Sequence, residues 1–334
     1  MSNPAQVFTA EQIDAAVAEL DPFAAITNGF IDFSTGKVTV PPVGELLLPE
    51  RRGELHIKCG AVRNDWCYVV KLASGFYGNP VLGLPSGNGL MLVFSQATGE
   101  LLAVLLDQGR LTKLRTAVAG AVVARQLAPS GVEHIGLIGT GAQARLQAHW
   151  LKRVVACRRI ALWGRSPERV EACAADLAAD GFTVTVFESP EDVVMASDLV
   201  VTTTSSSQPL IPASAMHSRL HVTAMGSDVP HKREMEPRAL GRANVVVADS
   251  RVQCRLRGEI SHALREGAVD DRAVVELGDV LAGRAVGRQR DSDITVADLT
   301  GVAVQDIAIA KAVLEVLAPE SVRRERQRCQ SARP

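Results

Sequence analysis

An excess of charge of either sign is missing from this 334-residue chain, in which 36 lysines and arginines face 37 aspartates and glutamates, for a net charge of −1 at pH 7. Without a basic surplus there is no electrostatic footprint for nucleic acid. No uninterrupted apolar run reaches the roughly 20 residues of a membrane span. The opening Met-Ser-Asn-Pro-Ala-Gln lacks the charged and apolar regions of a secretory leader. A cytoplasmic protein with no membrane partner is therefore expected. Cys59, Cys67, Cys157, Cys173, Cys254 and Cys329 form no C-x-x-C pair, and the 7 histidines form no ligand cluster. Neither a structural metal nor a disulfide is expected. No internal repeat is present. Apolar residues make up 47 % of the chain, enough for two domains with full cores.

One stretch stands out. His134-Ile-Gly-Leu-Ile-Gly139-Thr-Gly141-Ala142-Gln143-Ala144 runs from an apolar strand through a glycine-rich turn into a helix. Gly139 permits the tight bend, Gly141 lets a phosphate approach the backbone, and Ala144 lets helix and strand pack closely. The helix N-terminus adds free N–H groups and a positive dipole end, so this layout cradles a dinucleotide pyrophosphate. Alone, a G-x-G-x-x-A turn is a weak signal, but short apolar runs alternating with helical segments follow it. They are Arg159-Ile-Ala-Leu-Trp163, Val184-Thr-Val-Phe187, Asp198-Leu-Val-Val-Thr-Thr-Thr204, His221-Val-Thr-Ala-Met-Gly226 and Asn244-Val-Val-Val-Ala-Asp249. That alternation predicts a doubly wound parallel sheet with the turn on its first strand. Gly139, Thr140, Gly141, Ala142 and Gln143 then face the cofactor, with Thr203, Thr204, Met225 and Gly226 at the ends of later strands.

At the end of the second strand an NAD enzyme usually carries an acid for the ribose hydroxyls. Here Arg165 and Ser166 stand in that place, with Arg169 one helical turn on. They suit a 2′-phosphate and favour NADP(H) over NAD(H), the alternative being Arg165 stacked on adenine.

The roughly 125 residues before the turn belong to another domain. Thr9-Ala-Glu-Gln12 has the form of a capping box opening an amphipathic helix with Ile13, Ala16, Val17 and Leu20 on one face. Strands are expected at residues 37–40, 54–59, 67–73, 89–94 and 101–106, in a separate antiparallel or mixed sheet. Within it Lys71 sits between Val70 and Leu72. Arg115 sits near the start of Thr112-Lys-Leu-Arg-Thr-Ala-Val-Ala-Gly-Ala-Val-Val-Ala-Arg125, a helix otherwise almost all small and apolar. An arginine there opposes the helix dipole and needs a compensating anion, which a substrate carboxylate could supply. A structural salt bridge for Arg115 and an edge-strand, snorkelling Lys71 remain the alternatives. Asp228, in Met225-Gly-Ser-Asp228-Val-Pro-His-Lys-Arg-Glu234, follows a strand of the nucleotide sheet and could exchange a proton with the reacting group. Its alternative role is an N-cap. Residues 276–290 read as a charged loop, and the basic tail from Ser321 onward as a solvated or frayed terminus.

Lys71-Leu-Ala-Ser-Gly-Phe-Tyr-Gly-Asn-Pro80, Gly83-Leu-Pro-Ser-Gly-Asn-Gly89, Leu114-Arg-Thr-Ala117, the Gly139–Ala144 turn, Gly226-Ser-Asp228 and Asp298-Leu-Thr-Gly301-Val-Ala-Val-Gln-Asp306 together resemble the ornithine cyclodeaminase/mu-crystallin family over nearly the whole chain. The resemblance implies a Rossmann domain (126–311) inserted between an N-terminal α+β substrate and dimerisation domain (1–125) and a returning C-terminal helix (312–334). It also implies a homodimer built through the N-terminal domain. It identifies Lys71 and Arg115 as carboxylate-binding residues and Asp228 as the catalytic aspartate. Asn88 and His231 are read as further substrate contacts, and Leu299 as approaching the nicotinamide.

The chemistry that the resemblance implies is hydride transfer between nicotinamide and the α-carbon of an amino or imino acid. Two departures bear on the substrate. Pro41-Pro42-Val43 places a neutral residue where ornithine-converting members resemble one another in carrying a further arginine, which counts against ornithine. His231 stands where a glycine is common, and could hold a second carboxylate or be a solvated turn residue. The Gly-Ser-Asp form with His-Lys following most resembles the branch of ectoine-utilisation proteins and iminosuccinate reductases. The expected activity is reduction of an α-imino acid, a ketimine or an open-chain imine, with the open-chain imine favoured and iminosuccinate to aspartate as one such reaction. A cyclodeaminase acting on ornithine or lysine with catalytic NAD and a non-catalytic NADPH-dependent binding protein are the alternatives.

Overall fold

Two hydrophobic patterns, alternating in the first third of the chain and continuous after it, build two different sheets. The computed structural model describes residues 4–331. Its elements begin with β1 (Gln6–Phe8), α1 (Ala10–Glu19), α2 (Pro22–Ser34), β2 (Val38–Thr39), β3 (Gly44–Leu48), β4 (Gly53–Val62), β5 (Cys67–Phe76), β6 (Gly87–Ser95), β7 (Leu101–Leu105) and α3 (Arg110–Leu127). They continue with β8 (Ile135–Ile138), α4 (Ala142–Leu151), β9 (Arg159–Trp163), α5 (Pro167–Ala179), β10 (Thr183–Val186), α6 (Pro190–Met195), β11 (Leu199–Thr202), β12 (His221–Ala224), α7 (Pro237–Leu240) and β13 (Val245–Ala248). Last come α8 (Arg251–Cys254), α9 (Gly258–Arg265), β14 (Val274–Glu276), α10 (Leu277–Leu281), β15 (Thr295–Asp298), α11 (Ala303–Leu317) and α12 (Pro319–Ser331).

The chain divides into two compact units, Met1–Arg115 with Val302–Pro334, and Thr116–Gly301. Both crossings fall earlier than the boundaries 125/126 and 311/312 read from the sequence. The first lies inside α3, whose uniformly apolar composition shows no break. The second precedes α11 because that whole helix packs on α1, α2, β4 and β5.

In the first unit the strands run β1-β7-β6-β5-β4-β2, with β3 also paired to β4. Only β1 and β7 are parallel, so the sheet is mixed. One face, through Cys67, Val69, Met91, Val93, Ala103 and Leu105, packs on α1 and α11. The capping box at α1 is present, with the Thr9 hydroxyl accepting from Gln12 N–H and the Gln12 side chain accepting from Thr9 N–H. β1, α2 and β3 were not anticipated. All of β3 is exposed, so it carries no inside–outside alternation to read. The tail is not frayed through residue 331: it forms α12, and buried Glu325 accepts from the Ser95 hydroxyl at 2.9 Å. Residues 1–3 of the opening segment and 332–334 of the tail lie outside the described residues.

The second unit holds a fully parallel sheet in the order β10-β9-β8-β11-β12-β15-β13-β14. β8, β11, β12 and β15 are buried at every position, as strands covered on both faces must be. β15 was missed because Thr295 and Asp298 make a buried strand look polar. The expected charged loop at 276–290 instead contributes the end of β14 and α10, and its Arg288 donates to the carbonyls of Leu127, Arg219, Leu220, Asp291 and Asp293. No described helix is long and apolar enough to cross a membrane.

Candidate active site

The glycine turn after β8 opens α4 as the motif requires. Gly139 adopts φ +122°, and a Cβ there would fall 2.5 Å from the Thr203 hydroxyl, so only glycine fits. Gly141 caps α4 with no side-chain hydrogen bond, and a Cβ on it would meet no protein atom within 4 Å. The first N–H groups of α4 are thus left without a side-chain cap, the arrangement that takes a phosphate. Gly139, Thr140, Gly141, Arg165, Ser166, Arg169, Thr203 and Thr204 line one cavity of about 530 Å³, together with Trp163, Gly164, Ser205, Ser206 and Leu210, which carry no cofactor expectation from the sequence. Its lining holds two arginines and no carboxylate. Ser166 also caps α5, accepting from Arg169 N–H. Ala142, Gln143, Met225, Gly226 and Leu299 do not line this cavity. Met225 and Leu299 are buried, and the Met225 sulfur accepts from Gln147 Nε2 at 3.0 Å.

Asp228 rides on the loop after β12, and buried acids hold that loop at both ends. Glu234 accepts from the Thr202 hydroxyl (2.5 Å), Thr204 N–H (2.6 Å) and Gly226 N–H (2.8 Å). Glu259 accepts from the N–H groups of Glu234 (2.7 Å) and Met235 (3.0 Å). Burial pushes the Glu259 carboxyl up to about 8, with the Glu234 charge beside it adding to the shift. Burial likewise raises Glu234. Asp228 itself is part-exposed and receives the Lys232 ammonium at 2.8 Å. The N-cap role is excluded, since the next helix, α7, takes Glu236 as its N-cap. Lys232 is the partner that sequence reasoning missed, although a lysine four residues after an aspartate was there to be read. His231 lies exposed on the turn beside it.

In the first unit, Lys71 and Arg115 meet on one carboxylate. Lys71 is 2 % exposed on β5, flanked by β4 and β6, which overturns the edge-strand alternative. Its ammonium lies 3.1 and 2.9 Å from the two oxygens of Asp306, in the first turn of α11. Arg115 donates through Nε to Asp306 Oδ1 at 3.0 Å and through a terminal nitrogen to Gln305 Oε1 at 2.5 Å. The anion expected opposite Arg115 is therefore supplied by the protein itself. Asp306 was visible in the sequence only as the end of a motif. Burial holds Lys71 down to about 7, with repulsion from Arg115 and Lys58 adding to it and Asp306 opposing. Burial works to raise Asp306, but Arg115, Lys71 and Lys58 overcome it and keep its carboxyl below the usual range. Asn88 is not gathered here. It pairs in register with Ser74, opposite in pleat to Lys71, and its side chain accepts from Gly89 N–H.

A family profile described as ornithine cyclodeaminase/mu-crystallin matches residues 5–320. An uncharacterised cyclodeaminase of Sinorhizobium fredii is 43 % identical, over 82 % of this chain and 83 % of its own. The structure of the iminosuccinate reductase of Paracoccus denitrificans in complex with NAD+ superposes with TM-score 0.84 at 30 % identity, covering 95 % of this chain and 98 % of that one. An archaeal alanine dehydrogenase dimer with bound NAD superposes with TM-score 0.86 at 29 % identity, over 95 % and 97 %.

Proposed function

The chain belongs to the ornithine cyclodeaminase/mu-crystallin family, and from that premise we propose that it is an NAD(P)H-dependent reductase of an α-imino acid, with iminosuccinate as the favoured substrate and aspartate as the product. The observation that carries this is the buried Lys71–Asp306–Arg115 cluster, whose cations suit a substrate α-carboxylate. Arg115 offers a planar fork and Lys71 a point charge, and Asp306 holds both in place. When bound, the nicotinamide supplies the hydride that reaches the α-carbon. Asp228 delivers a proton to the imine nitrogen, and Lys232 keeps its carboxylate oriented between turnovers. Val43, the neutral residue at the place discussed above, supports a reductase over an ornithine cyclodeaminase.

The α4 N-terminus, Gly139 to Gln143, is assigned to the pyrophosphate. Thr203, Thr204, Met225, Gly226 and Leu299 are assigned to the nicotinamide half. Arg165, Ser166 and Arg169, in a cavity lining without a carboxylate, support NADP(H) over NAD(H), although the two solved relatives above hold NAD. A homodimer is part of the proposal. The sheet face opposite α11 exposes Val7, Leu46, Leu48, Ile57 and Leu106 around a stacked Tyr68–Phe94 pair, an apolar surface that a second copy would cover. No nucleic acid or membrane partner is assigned, and a cytoplasmic location is proposed.

The test is oxidation of NADPH and of NADH by the purified protein with ammonia and oxaloacetate, pyruvate or a cyclic ketimine. Oxidation that needs both ammonia and an oxo acid is the expected result, faster with NADPH. Ammonia release from ornithine or lysine with NAD, and no oxidation in the first assay, would establish the cyclodeaminase instead. Cofactor binding without turnover in either assay would leave a binding protein.

A further inference from the structure

We propose that Lys232 supplies the proton that Asp228 hands to the substrate nitrogen, so that the two side chains form a relay rather than a static ion pair. This deepens the reductase assignment and rests on it, and on the role given there to Asp228. Lys232 acts through Asp228 and touches no reacting atom itself.

The local structure holds this pair in place. The Lys232 ammonium lies 2.8 Å from Asp228 Oδ1, four residues back along the loop. The Lys232 backbone is fixed by three hydrogen bonds. Its N–H donates to the Val229 carbonyl at 3.2 Å, and its own carbonyl accepts the Ser227 hydroxyl at 2.6 Å and His262 Nε2 at 3.0 Å. A casual surface ion pair has no such anchoring. The two members are also unequally buried, the lysine side chain at 8 % exposure and the aspartate at 43 %. The ammonium is thus the inner member and the carboxylate the outer one.

In a contact pair of this kind in water the proton stays on nitrogen, the stronger base. An aspartate held as a carboxylate by an ammonium has no proton of its own to give, and the relay removes that difficulty. Burial weakens the preference for the ionised form, because desolvation penalises two charges and spares the neutral acid and amine. Transfer across the hydrogen bond then interconverts the two forms. Around the pair, α9 sets a second cation against the loop, its N-cap Arg257 donating to the Asp228 carbonyl at 3.3 Å. Burial keeps the His262 imidazole of the same helix below its usual range and pushes the Glu259 carboxyl up to about 8. On the loop, His231 is exposed, Arg233 pairs with Glu266 at 3.9 Å, and the Glu234 carboxyl is bonded to Thr202, Thr204 and Gly226.

The step balances. As hydride reaches the α-carbon, the C=N π pair moves to nitrogen and forms an N–H bond with the proton of the Asp228 carboxyl. The O–H bond broken there is the one made when Lys232 gave up its proton. Asp228 returns to the carboxylate, and Lys232, left as the amine, regains a proton from water.

The test measures kcat and KM for NADPH oxidation with ammonia and oxaloacetate, with ammonia and pyruvate, or with a cyclic ketimine, across pH, in the wild type, Lys232→Arg and Lys232→Met. Arginine keeps a cation on Asp228, but a guanidinium does not release its proton. Lys232→Arg should therefore lower kcat by about 10²-fold, the low end for a positioned proton donor, with KM and NADPH affinity nearly unchanged. Lys232→Met leaves Asp228 to take its proton from water, so its kcat should climb as pH falls toward the carboxylate range, a gain that the wild type lacks. Each variant decides on its own, so loss of folding in one, seen by fluorescence as loss of NADPH binding, leaves the other as the test. Wild-type kcat in Lys232→Arg, or a Lys232→Met profile parallel to the wild type's, overturns the relay and leaves the reductase standing. Failure of the wild type to oxidise NADPH with any of the three substrates overturns both.

Discussion

The two units answer clusters of buried charge in different ways. In the first, Lys58, Lys71 and Arg115 crowd around Asp306. In the second, Glu234, Glu259, Asp249 and Asp298 are buried together, and backbone N–H groups answer them: Gly226 and Thr204 for Glu234, Glu234 and Met235 for Glu259, Gly301 for Asp249, and Ile260 for Asp298. Acids held by backbone amides are structural, because the fold that buries them also supplies their partners. Burial alone does not mark a functional charge.

The sharpest break of this comparison concerns Asp228, the part-exposed acid carried on the loop that the buried ones clamp. Asp228→Asn should lower kcat by about 10²- to 10⁴-fold, the usual worth of a positioned proton donor, while dinucleotide affinity measured by fluorescence titration stays nearly unchanged. Full turnover in that variant would remove Asp228 from the chemistry. In the cationic cluster, Asp306→Asn strips the carboxylate shared by Lys71 and Arg115. Unfolding by denaturant should show a loss of about 3–5 kcal/mol, as for a buried pair deprived of one partner. A loss under about 1 kcal/mol would mean that the cluster is far more hydrated than its burial implies. Arg115→Lys replaces a fork by a point charge and should raise KM for the oxo acid by about ten- to a hundredfold, with a smaller change in kcat.

The smallest effects are in pH dependence, and their signs differ between the units. Glu259 titrates near 8 when folded and near 4.5 when unfolded, so the folded protein binds the extra proton between those values and this group's contribution to stability falls as pH rises from 4.5 to 8. Lys71 titrates near 7 when folded and near 10.5 when unfolded, so the unfolded chain holds the extra proton and stability rises with pH from 7 to 10.5. Denaturation midpoints across pH should therefore lose their downward limb in Glu259→Gln and their upward limb in Lys71→Met. Unaltered limbs in both variants would show that other groups set the pH dependence.

The nucleotide-binding half was legible because its information is local. The Gly139–Ala144 turn and most of the wholly apolar strands are contiguous in sequence, and each was recognisable from a window of a few residues. β15 escaped because a strand that buries Thr295 and Asp298 has no apolar signature, and β3 because exposure erased its alternation. In the first unit, Lys71 and Arg115 were legible as cations out of keeping with their apolar surroundings. Their shared partner was not, since Asp306 lies 235 residues from Lys71 and 191 from Arg115 in the chain.

The sequence by itself determined the family, the parallel nucleotide fold, the glycine turn and the identity of Lys71, Arg115 and Asp228 as residues that need an explanation. Only the tertiary structure decided what answers them. It set Asp306 between two cations, opposed Lys58 to Lys71 across a strand pair, gave Asp228 to Lys232 and turned Asn88 to the other side of the sheet. The reason is physical: backbone conformation is chosen by neighbours in the chain, whereas the field at a buried charge is made by whatever the fold brings within a few ångströms, without regard to sequence distance.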